Sequence, residues 1–441
     1  MGTSLLRPAS KGSVRRILLA NVVSFLVLVL VLAACGGPVE HRAAGDVRAD
    51  LPRGKAEPDS RAAAIAVNRL GVDLLARELG LEAGNVALSP WSIATALGMA
   101  RAGAAGTTAE EMDRVLHAPN GAALDRGLNG LAQEMAARNG TFPAGIEGEL
   151  EVELEMADRA FAQQGLLLEQ AFLDKLAGSY GAGIGAVDYR SDPEAARQAI
   201  NAWVGEETHA RIPELLAPGV LHHLTRLVLV NAVYLKADWA VPFSREATAP
   251  STFHAPGGDT IVPFMRGSSP RRFATGEGWK AVGLPYAGGK LAMTVVLPDE
   301  GRYGPVATGL DPGLLDTVAA APTAEVDLTL PKFEIGRATS LRLLLSELGM
   351  PTAFGDQADF RPMTTSEHLS LDDVIHQANV TVDEKGTVAA AATAAVMRTT
   401  AAPARVERLV VDRPFLFFVR DIPTGALLFA GQVTNPAANP Q

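Results

Sequence analysis

Residues 383–397 read DEKGTVAAAATAAVM. Three charges and a glycine open the stretch, and six alanines with little other bulk follow. Alanine is the strongest helix former, so composition alone predicts an exposed helix. The surroundings point elsewhere, because an extended-looking apolar run, NVTV, precedes it and DEKG has the composition of a turn. The fold turns on why a long segment with almost no side chains stands at this place.

The 441 residues are 48% apolar, 20% charged and 5% aromatic, an ordinary globular composition with material for a large core. Net charge is −10 and no Lys/Arg block forms a phosphate track, which argues against a nucleic-acid partner. A single cysteine excludes an internal disulfide framework and a Cys-rich zinc site. The body carries helical signals early. Residues 62–79 have apolar positions at helical spacing, and SPWSIATALGMARAGA begins with Ser89 as a cap and Pro90 in the first turn. GTTAEEMDRVLH predicts another helix with Thr before an acidic turn, and residues 191–209 predict a further one. Strand signals come later: RLVLVNAVYLKADW, LAMTVVLP, AEVDLTLPKFEI and LSLDDVIHQANVTV, then PFLFFVRD and ALLFAGQV flanking IPTG as a hairpin. Helices before strands predict an α+β body, taken as one large domain.

Catalytic motifs do not emerge. There is no HExxH helix, and GGK at residues 288–290 is followed by Leu291 where a P-loop needs Ser or Thr. GAGIGA at 181–186 has its third glycine one place early and reads as a turn. Adjacent His222 and His223 face apart and read as a surface turn, so no metal and no cofactor are expected.

At the N-terminus, Arg7, Lys11, Arg15 and Arg16 precede a run over residues 17–32 that is nearly all apolar, ending in LAAC. A basic start, an apolar core and small residues before the cut describe a secretory signal. The small pair before the sole cysteine resembles the lipobox of bacterial lipoproteins, which implies residues 1–34 as signal peptide and lipid on Cys35. Residues 35–60, poor in apolar groups, read as a flexible tether. An exported protein, lipid-anchored at the cell surface or envelope, is expected.

DEKGTVAAAATA resembles the hinge of the serpins, protease inhibitors consumed in acting. NVALSPWSIATALGMARAGAAGTTAEEM, LVNAVYLKADWAVPF, LPYAGGKLAMTVVLP and RPFLFFVRD…FAGQVTNP resemble other segments of that family in its own order. The resemblance implies a serpin fold over residues 61–441: three β-sheets, eight or nine helices and an exposed reactive-centre loop at about 384–410. It implies a suicide substrate for serine proteases, with cysteine proteases as a further class, whose cut loop inserts as a strand into the main sheet. Side chains at alternate positions would then enter a packed interior, where an unpaired charge is costly. Thr387, Ala389, Ala391, Thr393 and Ala395 are all small and uncharged, and Gly386 reads as a pivot.

The family count from the hinge glutamate, Glu384, places the reactive bond at Thr400–Ala401, which suits an elastase-like pocket. Arg398–Thr399 is the alternative, suits a trypsin-like one, and would shorten the inserted strand by about 7 Å. Ser89, Ser92, Asn231 and His376 match the polar shutter beneath the sheet. Trp239, Lys332 and Glu384 match the breach where insertion begins, the latter two as a salt bridge. The GTTAEEMDRVLH helix lacks the basic face that binds heparin in some members, so no heparin partner is expected, and a monomer is. The alternative is a non-inhibitory serpin acting as a binding or carrier protein, and a distant third a hydrolase using Ser89 and His376.

Overall fold

The computed structural model describes residues 45–56, 60–80, 84–118, 120–144, 148–336, 338–387 and 406–438. Nine α-helices and two extensive sheets make an α+β body among these residues. In the main sheet the strands run in the order Gly45–Val47, Ile184–Val187, Glu149–Gln163, Leu227–Asp238, Gly386–Thr387, Asp373–Val382 and Phe333–Ile335. Leu227–Asp238 is buried almost throughout, as its largely apolar sequence requires for a strand covered on both faces.

The other two expected sheets are continuous with each other. Gly258–Gly276 is 19 residues long. Its first half pairs with Ala249–Ala255, its middle with Thr323–Pro331 and its end with Trp279–Pro285. A strand that long twists too far to remain in one plane, so a single backbone serves two sheets. The hairpin at IPTG forms as the sequence indicates, Phe415–Asp421 pairing antiparallel with Leu427–Val433.

Helix Pro90–Ala102 starts where Ser89 predicts, the Ser89 side chain accepting from the Ser92 N–H. Residues 90–100 are all buried, so the polar groups at its start need internal partners. Helix Gly106–Val115 has no side-chain cap; the Thr108 hydroxyl accepts from the Asp359 N–H instead. Helix Pro193–Glu207 lies on the opposite face of the main sheet, its Ile200 and Val204 in one apolar cluster with Val228, Val230 and Ile375.

The tether reading does not hold for residues 45–56. Gly45–Val47 adds an antiparallel edge strand against residues 184–186, the second half of the GAGIGA turn. Asp46 pairs with Arg159 at 2.7 Å, Arg53 donates to Asn129 at 2.7 Å, and the Gly54 N–H donates to the Gly178 carbonyl at 2.7 Å. Backbone pairing and polar contacts hold this segment, which is why its low apolar content misled. Cys35 lies outside the described residues.

Candidate functional site: a hinge, a breach and a shutter

Between residues 373–379 and 228–234 the two central strands of the main sheet pair directly and in parallel. Above that point they part, and Gly386–Thr387 stands between them, antiparallel to both: Thr387 opposite Ala237 on one side and Val382 on the other. The sheet is therefore shut at its lower end and already three-stranded at its top. Residues 383–386 reverse the chain, the Asp383 N–H donating to the Gly386 carbonyl at 2.9 Å while the Asp383 carboxylate accepts from the Lys385 N–H.

Gly386 is not a pivot in the left-handed region; it is absent from the positive-φ glycines. Its requirement is space. A Cβ built there would overlap the Ala237 carbonyl and stand 2.6 Å from the Asp238 Cα, so only glycine fits between the strands.

The breach residues converge on this turn. Glu384 receives Lys332 Nζ at 2.8 Å and the Thr248 hydroxyl at 2.8 Å. Burial pushes the Glu384 carboxyl pKa up, but the Lys332 bond, its own backbone and Thr248 together hold it below the ordinary value. Trp239 donates its backbone N–H to the Lys385 carbonyl and its indole N–H to the Asp383 carbonyl. The indole stacks on Tyr286, centroids 4.6 Å apart, and the Tyr286 hydroxyl bonds the Thr387 hydroxyl at 2.9 Å. The hydroxyl of the buried hinge threonine thus has a partner.

The shutter also assembles. The Ser89 N–H donates to His376 Nε2 at 3.0 Å, and His376 Nδ1 bonds Asn231 Oδ1. Because Nε2 accepts, the proton sits on Nδ1; burial lowers the His376 pKa to about 3, so the ring is neutral. That accepting nitrogen is taken by a backbone N–H, and Ser89 Oγ itself accepts from Ser92, so Ser89 and His376 do not form a nucleophile–base pair.

A member missed in the sequence completes the cluster. Asp158 Oδ1 accepts from the Ser92 hydroxyl at 2.8 Å and from the Asn231 amide. Burial drives its pKa well above the usual carboxylate range, against the pull of those two bonds. Asp158 stands directly across from Asn231 in the Glu149–Gln163 strand. Only the alternating pattern of ELEVELEMADRAFAQ could have signalled that strand, and no local feature marks Asp158 within it.

Of the remaining predicted positions, Ala389, Ala391, Thr393, Ala395, Arg398, Thr399, Thr400 and Ala401 lie outside the described residues.

Comparison with known proteins agrees with this geometry. Residues 65–436 match the model of the family described as serpin (serine protease inhibitor). An uncharacterized serpin-like protein of Thermococcus kodakarensis is 36% identical over 84% of this chain and 85% of its own length. The leukocyte elastase inhibitor of Bos taurus is 33% identical over 80% of this chain and 94% of its own. Among solved structures, human thyroxine-binding globulin superposes with a TM-score of 0.75 at 25% identity, covering 86% of this chain and all of that one. The chain belongs to the serpin family.

Proposed function

We propose that this serpin is a suicide-substrate inhibitor of serine proteases that traps its target by inserting the cut loop into the main sheet. The carrying observation is the in-register placement of Gly386–Thr387 between the two central strands. Continued downward in the same register, Ala389 meets Leu235, Ala391 meets Val233 and Ala395 meets Leu229, all facing the main core. Thr393 arrives between Asn231 and His376, whose bond now closes the seam. The two polar residues of the inward-facing series thus fall where polar partners wait: Tyr286 for Thr387 and the shutter for Thr393. Bulky or charged groups occur at none of these positions.

In this mechanism the protease serine Oγ adds to the Thr400 carbonyl. The bond to the Ala401 nitrogen breaks, and the new amine leaves with a proton from the protease histidine. The ester stays while the arm ending at Thr400 enters the sheet, replacing one parallel pairing with two antiparallel ladders. Arg398–Thr399 remains the alternative bond. The relative named leukocyte elastase inhibitor accords with a small-pocket target. Lipid on Cys35 would hold the inhibitor at the cell surface or envelope.

A carrier role is the second reading, favoured by the likeness to thyroxine-binding globulin. Incubation with elastase-, trypsin-, chymotrypsin- and subtilisin-type proteases separates the two. A complex stable in SDS, with a released peptide beginning at Ala401 or Thr399, is expected. Loop cleavage by every enzyme with no complex would favour the carrier.

A further inference from the structure

We propose that the protein carries a transition-metal site of the zinc class, made by Glu153, Glu155 and His209. Their ligand atoms all lie within 4.8 Å of one another. Glu153 and Glu155 alternate along one strand and so share a face, the face of helix Pro193–Glu207; His209 stands just past that helix's end. His209 Nε2 is 3.6 Å from Glu153 Oε1, close to the roughly 3.4 Å between neighbouring ligands of a tetrahedral zinc with bonds of 2.0–2.1 Å.

The two cations near the site make their nearest contacts with other groups. Lys236 is engaged by Glu151 at 2.6 Å, and the Arg211 guanidinium lies over the Tyr234 ring at 5.3 Å. Glu155 has no Lys or Arg partner among the described residues, and Glu207 adds another carboxylate nearby. A second observation concerns Tyr234, directly across from Glu155 on the neighbouring strand and on the same face. It is 2% exposed, yet its hydroxyl has no hydrogen-bond partner among the described residues. A water completing the coordination shell would supply one. Two carboxylates and an imidazole select zinc over the all-oxygen shells of magnesium or calcium.

The site joins the end of helix Pro193–Glu207 to a strand of the main sheet, while the helix itself packs across the seam that insertion must open. Metal bound there would tie the end of that helix to the strand beneath it.

Titrating the full chain with ZnCl2 by calorimetry is expected to show one equivalent bound, and CoCl2 to give a visible absorption band. His209→Asn, which tolerates the left-handed backbone of residue 209 (φ 48), and the near-isosteric Glu155→Gln should each weaken binding at least tenfold. No saturable zinc uptake, uptake unchanged in both variants, or equal uptake of MgCl2 would overturn the site. No protease enters the experiment, so its result stands apart from the inhibitor reading.

Discussion

Thr387→Arg places a charge at the first inward-facing position of the hinge. Thr387 has no exposed surface, and its hydroxyl is bonded to a Tyr286 that is itself fully buried and stacked on Trp239. No carboxylate accompanies Thr387 in these contacts. A guanidinium forced there would be a buried, uncompensated charge, costing about 3–5 kcal/mol. The chain avoids that cost by leaving the sheet, so the hinge should be expelled while the body stays folded. Insertion must still carry residue 387 inward. If the penalty is felt in its transition state, insertion slows by roughly two to three and a half orders of magnitude, at 1.4 kcal/mol per tenfold. The acyl-enzyme then hydrolyses first. Stoichiometric titration of an elastase-type protease should show the variant cleaved as a substrate, with little SDS-stable complex. Thr387→Ser, which keeps the hydroxyl, should inhibit like the parent. Equal complex formation by Thr387→Arg and the parent would refute the reasoning, since position 387 would then not need to enter the core.

Three further perturbations follow. Gly386→Ala sets a Cβ against the Ala237 carbonyl and should cost about 1–3 kcal/mol in urea unfolding or free the hinge, read as faster amide exchange at residues 386 and 387. Glu384→Gln removes the Lys332 ion pair, partly exposed on the lysine side, and should cost about 1 kcal/mol near neutral pH. Because folding lowers the Glu384 pKa, that difference is present above the carboxylate's unfolded value and fades as pH falls through the folded one. His376 works in the other range. Its folded pKa of about 3 lies below 6.5, so the unfolded chain takes up a proton that the native shutter refuses, and stability falls as pH drops below 6.5. From pH 6.5 to 4.5 the parent should lose about 2–3 kcal/mol more than His376→Gln in urea titrations. Equal losses would show that the imidazole is not held neutral.

Much of this site was legible because its signals are local. Ser89 caps a helix and begins a motif, and DEKGT with its alanines carries its own turn and its own spacing. What stayed hidden depends on strand register. Asp158 joins the shutter only because Glu149–Gln163 pairs with Leu227–Asp238 so that Asp158 faces Asn231, a relation no single segment states. Gly386 was assigned a torsional role, whereas its neighbour across the ladder, the Ala237 carbonyl, sets the requirement. Residues 45–56 escaped for the opposite reason. Their composition cannot build a core, yet backbone pairing and the Asp46–Arg159 and Arg53–Asn129 contacts dock them on partners more than seventy positions away.

The central claim is that a cut loop becomes the middle strand of the main sheet. Thermal unfolding of the full chain before and after a single loop cleavage tests it most directly. Insertion exchanges seven parallel register pairs for two antiparallel ladders, and on the order of ten extra backbone hydrogen bonds at about 1 kcal/mol each would result. The midpoint should rise by roughly 10 °C or more after cleavage. An unchanged or lowered midpoint, with the loop shown by mass to be cut, would mean that the strand does not enter.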